Sequence, residues 1–178
     1  MTKSSRTKYK RIVFIGKSNV GKSSLINAFL GKEFCSTNAD KTADKELYET
    51  TMQLPPCGSV VIVDTDPIDD SVELKQDKLK RTVEILSSAD FVVVVLDARE
   101  KISQTDKSII YQLKNLSIPF VVAVNKIEFG VNSELINGLR ALNVVHFEIS
   151  CKEEVGIDAL KTRITRQFQS KLAKAPKS

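Results

Sequence analysis

One segment near the N-terminus carries residues that can bind phosphate groups. Gly16, Gly21, Lys22 and Ser23 have the spacing G-x-x-x-x-G-K-[ST], directly after a short apolar run and before a segment of helical periodicity. Glycines let the backbone wrap around phosphate oxygens, and the N–H groups at a helix N-terminus attract anions. Lys22 supplies a positive charge to the β- and γ-phosphates, and the Ser23 hydroxyl is a ligand for Mg²⁺. The spacing therefore predicts a nucleoside triphosphate site.

Short apolar runs alternate with helical segments along the chain. The run Phe91-Val-Val-Val-Val-Leu96 is apolar at every position, which is typical of a strand buried on both faces. Strand–helix alternation of this kind predicts one α/β domain with a mostly parallel sheet, whose ligands bind at the carboxyl ends of the strands. The predicted strands cover residues 11–15, 47–54, 59–63, 91–96, 119–124 and 144–149, the predicted helices residues 23–30, 74–86, 103–116, 133–142 and 157–172, and a long loop residues 31–46.

Length and composition narrow the class of protein. The 178 residues suit one domain, and no apolar run approaches the length of a membrane-spanning helix. Three cysteines without a C-x-x-C pair, together with a single histidine, argue against a disulfide framework and a structural zinc site, and favour a reducing, cytoplasmic compartment.

The positive charge lies at the two ends of the chain. Residues 1–11 carry five Lys or Arg and residues 161–178 carry six, with no acid in either segment, whereas residues 12–160 carry 16 basic and 22 acidic residues. We interpret the ends as solvated tails, with contact to a polyanion or a partner as the alternative. The predicted organisation is a basic flexible N-terminus at 1–9, a folded domain at 10–172 and a disordered tail at 173–178.

Five segments, in order, resemble the signature elements of small P-loop GTPases of the TrmE–Era–EngA type. The first is Gly-Lys-Ser-Asn-Val-Gly-Lys-Ser-Ser at residues 16–24, followed by Leu-Ile-Asn-Ala. The resemblance extends from about Lys10 to Leu172. It implies a three-layer P-loop NTPase fold, a Ras-like G domain with a mostly parallel six-stranded sheet and helices on both faces. It also implies GTP and GDP binding, with slow hydrolysis of GTP as a conformational switch. In the first element the implied nucleotide contacts are Ser18, Asn19, Val20, Gly21, Lys22, Ser23 and Ser24.

The second and third elements imply the remaining Mg²⁺ ligands. Ala39-Asp-Lys-Thr42-Ala-Asp44 is similar to Pro-Gly-x-Thr-x-Asp, which makes Thr42 the residue that reaches Mg²⁺ when a γ-phosphate is present; because the Pro-Gly is missing, an unrelated polar loop is the alternative. Asp64-Thr-Asp-Pro67 is similar to Asp-x-x-Gly, and Asp64 would hold a Mg²⁺-bound water. Pro67 has no N–H for the γ-phosphate, so the N–H of Asp66 or Ile68 would replace it, or the switch is weakened. The implied metal set is Ser23, Thr42 and Asp64, and the implied catalytic set is Lys22, Thr42 and Asp64.

The fourth and fifth elements imply recognition of guanine. Asn125-Lys-Ile-Glu128 resembles Asn-Lys-x-Asp, and Ser150-Cys-Lys152 resembles Ser-Ala-Lys. Glu128 would accept hydrogen bonds from guanine N1–H and N2–H₂, which adenine cannot offer, although it is one methylene longer than the usual aspartate. Asn125 would brace the phosphate loop and the stem of Lys126 would cover the base. The implied base contacts are Asn125, Lys126, Glu128, Ser150, Cys151 and Lys152, with the Cys151 N–H directed to O6.

Two narrower resemblances concern the cation and the biological role. Asparagine at the position of Asn19 binds K⁺ beside the phosphates in related GTPases, so K⁺ stimulation is predicted. Residues 54–65 and Ile68-Asp-Asp are similar to the GTPase domain of HydF, the maturation factor of [FeFe] hydrogenase. That domain precedes a dimerisation domain and an iron–sulfur cluster domain in its family. Neither is present in this sequence, so we interpret the chain as an excised domain or a short relative that holds no cluster, with hydrogenase maturation proteins as partners.

Two other functions remain open at this stage. Pro67 and Glu128 favour a nucleotide-binding interaction module with little or no hydrolysis. The basic ends favour a ribosome- or RNA-associated GTPase, although nucleic acid is not the preferred partner. No membrane partner is predicted.

Overall fold

The computed structural model describes residues 9–31, 47–68 and 83–172. Six strands and four long helices are found in these ranges. The strands are β1 (Lys10–Gly16), β2 (Leu47–Leu54), β3 (Gly58–Thr65), β4 (Phe91–Asp97), β5 (Phe120–Asn125) and β6 (His146–Glu148), and the helices are α1 (Lys22–Leu30), α2 (Gln104–Asn115), α3 (Ser133–Ala141) and α4 (Ile157–Leu172). Residues 83–87 are also helical, and a 3₁₀ turn covers Ile127–Phe129.

The six strands form one sheet in the order β2-β3-β1-β4-β5-β6. All neighbouring pairs are parallel except β2 and β3, which form an antiparallel pair. The predicted fold class is therefore confirmed. Because β1, β3, β4 and β5 run in the same direction, their carboxyl ends meet at one edge of the sheet.

Alternate residues of each central strand pack into two separate cores. Val93 and Val95 of β4 belong to the core that contains α1 and α4, whereas Val92 and Val94 belong to the core that contains α2 and α3. These four side chains are all fully buried. A strand with helices on both sides needs apolar side chains at every position, which explains the unbroken valine run. Edge-to-face ring contacts strengthen the first core, with Phe14 against Phe29 at 5.6 Å and Phe91 against Phe168 at 6.1 Å between ring centres.

The strand ends differ from the sequence prediction in a consistent way. β3, β4 and β5 continue beyond the last apolar residue to Thr65, Asp97 and Asn125, because backbone pairing does not depend on side-chain polarity. β6, at one edge of the sheet, has only three residues instead of the six predicted, His146–Glu148, and pairs with β5 alone. The extended ends bring polar side chains to the carboxyl edge of the sheet.

Several predicted segments lie outside the described residues. These are residues 1–8 of the basic N-terminus, most of the 31–46 loop with Thr42, most of the helix predicted at 74–86, and the tail at 173–178. Among the helices that the structure describes, none is long and apolar enough to cross a bilayer.

Candidate nucleotide-binding site

The loop between β1 and α1 is shaped by two glycines. A Cβ atom on Gly16 would lie 2.6 Å from the carbonyl oxygen of Val95, so β1 and β4 can approach each other only with glycine here. Gly21 has φ +90° and caps the N-terminus of α1, and a Cβ on it would lie 2.2 Å from Nδ2 of Asn125. Asn19, exposed at the top of the loop, also has positive φ. The sharp turn leaves the N-terminus of α1 facing the carboxyl edge of the sheet, as an anion site requires.

The predicted phosphate lysine and the predicted metal ligands are close together. The Lys22 ammonium donates to Oδ1 of Asp64 and to the carbonyl oxygen of Thr65, and Lys22 and Asp64 are both buried. The Ser23 hydroxyl lies 3.5 Å from Oδ2 of the same carboxylate. Thr65 in turn donates to the carbonyl oxygen of Phe14 at 2.9 Å, which fixes the end of β3 beside β1. A hydroxyl beside a carboxylate is the hard oxygen donor set that Mg²⁺ prefers, so the residues present fit this ion.

Asn125 connects the phosphate loop to the segment after β6. Its Nδ2 donates to the carbonyl oxygen of Val20 at 3.0 Å, and its Oδ1 accepts from the backbone N–H of Cys151 at 3.1 Å. The side chain is 2% exposed. The resemblance assigned the Cys151 N–H to guanine O6; in the structure this N–H already has an acceptor, so a contact with O6 requires shared donation.

Glu128 presents a buried acceptor to a pocket of about 250 Å³. Its Oε2 is enclosed and has no hydrogen-bond partner among the described residues. A hydrogen bond from Ser150 lowers the pKa of Glu128 and outweighs the opposing effect of burial, and the positive charges of Lys152 and Lys126 lower it further. Glu128 is therefore a carboxylate at neutral pH with an unused acceptor, which fits the N1–H and N2–H₂ edge of guanine. The pocket is lined by Gly21, Ser24, Asn125, Lys126, Glu128, Phe129, Cys151 and Lys152.

Two further properties of the pocket wall follow from burial and charge. Burial, with the negative charge of Glu128 as a second cause, raises the pKa of the Cys151 thiol to about 12, so that this residue acts as a small apolar group. Phe129 is 58% exposed, and two cations lie over its ring, Arg99 at 5.3 Å and Lys152 at 5.5 Å from the ring centre.

Asp97 and Arg99 belong to the same cluster, although no sequence motif pointed to them. The Asp97 carboxylate is 3% exposed and accepts from the Lys126 ammonium at 2.8 Å and from three nitrogens of Arg99 at 2.6–3.0 Å. Burial alone would raise the pKa of Asp97, but these hydrogen bonds hold it well below its usual range. The available signal was an acid at the end of a buried strand, the position that Asp64 also occupies.

The loop after β3 contacts the phosphate loop through one backbone bond. The Ile68 N–H donates to the carbonyl oxygen of Gly16 at 3.1 Å, whereas Pro67 has no N–H to donate. Asp66 is exposed. Of the two replacement donors considered for the γ-phosphate, Ile68 would have to leave Gly16 first.

The structure places the predicted site residues at one edge of the sheet. Residues 18–24, Asp64, the segment 125–128 and the segment 150–152 all lie at the carboxyl ends of β1, β3, β5 and β6. Thr42 is the one predicted site residue that lies outside the described residues. A glycine-bent loop ahead of a helix, an acid on the neighbouring strand and a base pocket define a P-loop nucleotide-binding domain.

Comparisons with known proteins agree with this class. The family model described as 50S ribosome-binding GTPase matches residues 11–126, and the chain belongs to this family of P-loop GTPases. GTPase Der of Campylobacter curvus (strain 525.92) is 28% identical over 176 residues, which are 95% of this chain and 37% of that protein. The tRNA modification GTPase MnmE of Desulforamulus reducens is 30% identical over 159 residues, which are 86% of this chain and 33% of that protein. The chain thus spans about a third of the length of these curated relatives.

Solved structures of other GTP-binding proteins superpose on the fold. The crystal structure of a probable GTP-binding protein EngB has a TM-score of 0.68 and 25% identity, and the match covers 90% of this chain and 99% of that one. A variant of Aquifex aeolicus Era, solved bound to GDP·AlF₄⁻, has a TM-score of 0.73 and 23% identity over 90% of this chain and 57% of that one, which shows the fold alone.

Proposed function

We propose that the chain binds GTP with Mg²⁺ and hydrolyses it slowly to GDP and phosphate, acting as a conformational switch. The observation that carries the proposal is Oε2 of Glu128, which has no hydrogen-bond partner in the part of the chain that the structure describes and is enclosed in the wall of a pocket that opens beside the phosphate loop. Leaving a buried acceptor without a donor is unfavourable, and guanine brings two N–H donors to this position. Adenine presents an acceptor there and would leave the carboxylate unsatisfied.

In the phosphate half of the site, Lys22 would exchange its protein acceptors for the phosphates when the nucleotide binds. The Lys22 ammonium is held by Asp64 and Thr65 in this structure. When it turns to the β- and γ-phosphates, the Asp64 carboxylate becomes available beside the Ser23 hydroxyl. Mg²⁺ held by Ser23 and Asp64, with Thr42 as the proposed third residue, would neutralise charge on the β- and γ-phosphates. The backbone N–H groups of residues 18–24 would orient the phosphates for in-line attack of water on the γ-phosphorus, which breaks the bond to the β-phosphate oxygen and leaves GDP and phosphate.

Nucleotide titration tests this function. Isothermal titration calorimetry with GDP, a slowly hydrolysed GTP analogue and ADP, each with Mg²⁺, should give binding for the two guanine nucleotides only, and phosphate release should follow with GTP. Lys22→Ala should abolish both signals, whereas Lys107→Ala on α2 should change neither. Absence of heat with millimolar GDP would refute guanine binding. Binding of GTP without phosphate release would instead favour the interaction module that does not hydrolyse GTP.

The proposed K⁺ dependence rests on Asn19. This residue is exposed at the top of the phosphate loop with φ +63°, and its carbonyl oxygen accepts from the Lys126 ammonium. K⁺ beside the phosphates would add positive charge in the manner of an arginine finger. Phosphate release should be faster in KCl than in NaCl at equal ionic strength, and Asn19→Ala should remove the difference. Equal rates in the two salts would contradict this assignment.

A ribosomal or RNA partner is the second candidate. The matching family model is described as ribosome-binding, and one superposing structure, 24% identical, is of Era in complex with nucleotides 1506–1542 of 16S ribosomal RNA. The observation in this chain that favours it is α4, where Lys161, Arg163 and Arg166 follow Asp158 without another acid. Binding of a fluorescent 16S rRNA fragment should weaken steeply with salt if these charges contact phosphates. A salt-independent or undetectable signal would contradict this candidate.

The narrower assignment to HydF rests on the sequence of residues 54–70 alone. If it holds, the chain binds a HydF dimerisation and cluster domain, which gel filtration of a mixture of the two proteins would detect; separate elution would contradict it. We place the activity in the cytoplasm, because three widely spaced cysteines without a C-x-x-C pair favour a reducing compartment.

A further inference from the structure

Asp97 is a buried charge in contact with the base pocket. It is the last residue of β4, and its register partner on β5 is Asn125, which places it at the same edge of the sheet as the site. A buried carboxylate is unfavourable unless it is paired and hydrogen-bonded. Among the described residues, its carboxylate accepts hydrogen bonds from Lys126 and Arg99, which lie beside the base pocket. Its contacts therefore point into the site and not into the core.

Asp97 determines where the Lys126 side chain lies. Lys126 follows β5 with φ +71°, and its ammonium is held between Oδ2 of Asp97 and the carbonyl oxygen of Asn19. Lys126 lines the pocket, and its methylene stem joins the backbone to the ammonium that Asp97 holds. A lysine stem that is anchored only at Cα has many rotamers in water, and fixing them is unfavourable. By holding the ammonium, the Asp97 carboxylate restricts the rotamers of the Lys126 stem before a ligand binds.

Asp97 also fixes the outer wall of the pocket. Nε and Nη2 of Arg99 donate to its two carboxylate oxygens at 2.9 and 2.6 Å, and Cζ of the same guanidinium lies over the Phe129 ring, 5.3 Å from its centre. Phe129 is more than half exposed and lines the same pocket. One carboxylate thus holds two cations beside the pocket: Lys126, which lines it, and Arg99, which contacts the lining residue Phe129.

We propose that Asp97 is a positioning residue for guanine binding, which acts by holding the stem of Lys126 and the guanidinium of Arg99 against the base pocket. This proposal rests on the proposed function, because it assumes a guanine nucleotide in the pocket. It assigns Asp97 to the base and not to the phosphates, since none of its contacts involves Lys22, Ser23 or Asp64. GDP and GTP should therefore depend on Asp97 to the same degree.

The test is a titration of Asp97→Asn with GDP and with a slowly hydrolysed GTP analogue. Affinity for both should fall by about tenfold, which corresponds to about 1.4 kcal/mol, and by the same factor. Asp90→Asn is the matched control, because Asp90 immediately precedes the same strand at its opposite end, where it accepts from Lys10 and from the Arg11 N–H. Its affinity for GDP should stay within about twofold of the wild type.

A double-mutant cycle with Lys126→Met separates positioning from general loss of structure. Methionine keeps an apolar stem but cannot pair with Asp97. Lys126→Met alone should lower GDP affinity by about tenfold, and adding Asp97→Asn should lower it further by clearly less than the roughly tenfold it costs in the wild type, because only the contact with Arg99 is then left to lose. A full further tenfold loss would show that Asp97 does not act through Lys126 and would overturn the proposal.

The remaining outcomes are also decisive. GDP affinity of Asp97→Asn within about twofold of the wild type would overturn the proposal. If this variant does not fold, Lys126→Met decides alone: a tenfold loss supports anchoring of the stem, and unchanged affinity overturns it. Failure of the wild-type protein to bind either guanine nucleotide would refute the proposed function itself, which is a different result from normal binding by all variants.

Discussion

Alanine substitutions at Gly21 and Gly31 can measure how much the hydrogen bonds of Asn125 stabilise the folded state. The two glycines cap opposite ends of α1 and both have left-handed backbone, with φ +90° at Gly21 and φ +67° at Gly31. An alanine in this conformation costs about 1–2 kcal/mol at either position. A new Cβ at Gly21 would meet Nδ2 of Asn125 at 2.2 Å, whereas no residue that the structure describes lies within 4 Å of a Cβ at Gly31.

The expected difference follows from the hydrogen bonds of Asn125. Displacing its amide breaks the bonds to the Val20 carbonyl and from the Cys151 N–H, and leaves buried polar groups unsatisfied. That loss costs about 1–3 kcal/mol. Gly21→Ala should therefore lower the free energy of unfolding by about 2–5 kcal/mol and Gly31→Ala by about 1–2 kcal/mol.

Urea unfolding followed by circular dichroism measures both values by linear extrapolation. In the Asn125→Ala background, Gly21→Ala should cost no more than Gly31→Ala does in the wild type, because the clashing amide is gone. If the free energies of unfolding of the two glycine variants differ by less than about 0.5 kcal/mol in the wild-type background, a Cβ at Gly21 does not break the hydrogen bonds of Asn125.

Four further expectations follow from burial, charge and pKa. Glu128→Gln should lower GDP affinity by about 10- to 100-fold in calorimetry, since hydrogen bonds to a charged group contribute about 1.5–3 kcal/mol; unchanged affinity would show that the carboxylate does not contact the base. The pKa of about 12 for Cys151 should make its reaction with Ellman's reagent at pH 8 at least about 100-fold slower than that of free cysteine, in a variant whose other two cysteines are serine. A rate equal to that of free cysteine would contradict its burial. Phe168→Ala should lower the free energy of unfolding by about 3–5 kcal/mol because it removes a ring packed on Phe91; a loss below about 1 kcal/mol in urea unfolding would contradict the packing. The pKa of Asp97 is lower in the folded than in the unfolded state, so its stabilising contribution is present above about pH 4 and is lost as the pH falls. The free energy of unfolding of Asp97→Asn should accordingly fall less steeply than that of the wild type between about pH 4 and pH 2, and parallel curves would argue against the lowered pKa.

The sheet could be predicted because its central strands are buried on both faces. Such strands read as unbroken apolar runs, and this is why 91–96 was placed within one residue of β4. The strand ends were placed less well for a physical reason. Hydropathy marks a strand as ended at its last apolar residue, whereas the hydrogen-bond ladder continues through Asp64, Asp97 and Asn125. Much of the candidate site lies on these polar strand ends. The apolar pattern that predicts the buried strands therefore does not include the site residues.

The candidate site could be predicted where a local segment contains both the bend and the reactive group. The phosphate loop meets this condition, because Gly21 and Lys22 are adjacent in sequence. Asp97, Arg99 and Phe129 do not meet it. Their contact with the pocket depends on β4 lying next to β5 in the sheet. The spacing of residues within a segment does not indicate which strands are neighbours. An acid at the end of a buried strand is a usable signal only after the strand order is known.

The two halves of the site differ in how their charged groups are held. In the base half, Lys126 is held by Asp97, and Asn125 is held by the backbone of Val20 and Cys151. Both residues line the pocket in these positions. Groups that are held in place lose little freedom when a ligand binds. In the phosphate half, by contrast, the Lys22 ammonium is paired within the protein and must change partner before it can bind a phosphate. In the proposed function, the base would therefore meet side chains that are already hydrogen-bonded in place, whereas binding of the phosphates would require Lys22 to leave Asp64. In the proposed conformational switch, a response to the γ-phosphate would have to come from the phosphate half, because the base half meets the same guanine in GDP and in GTP.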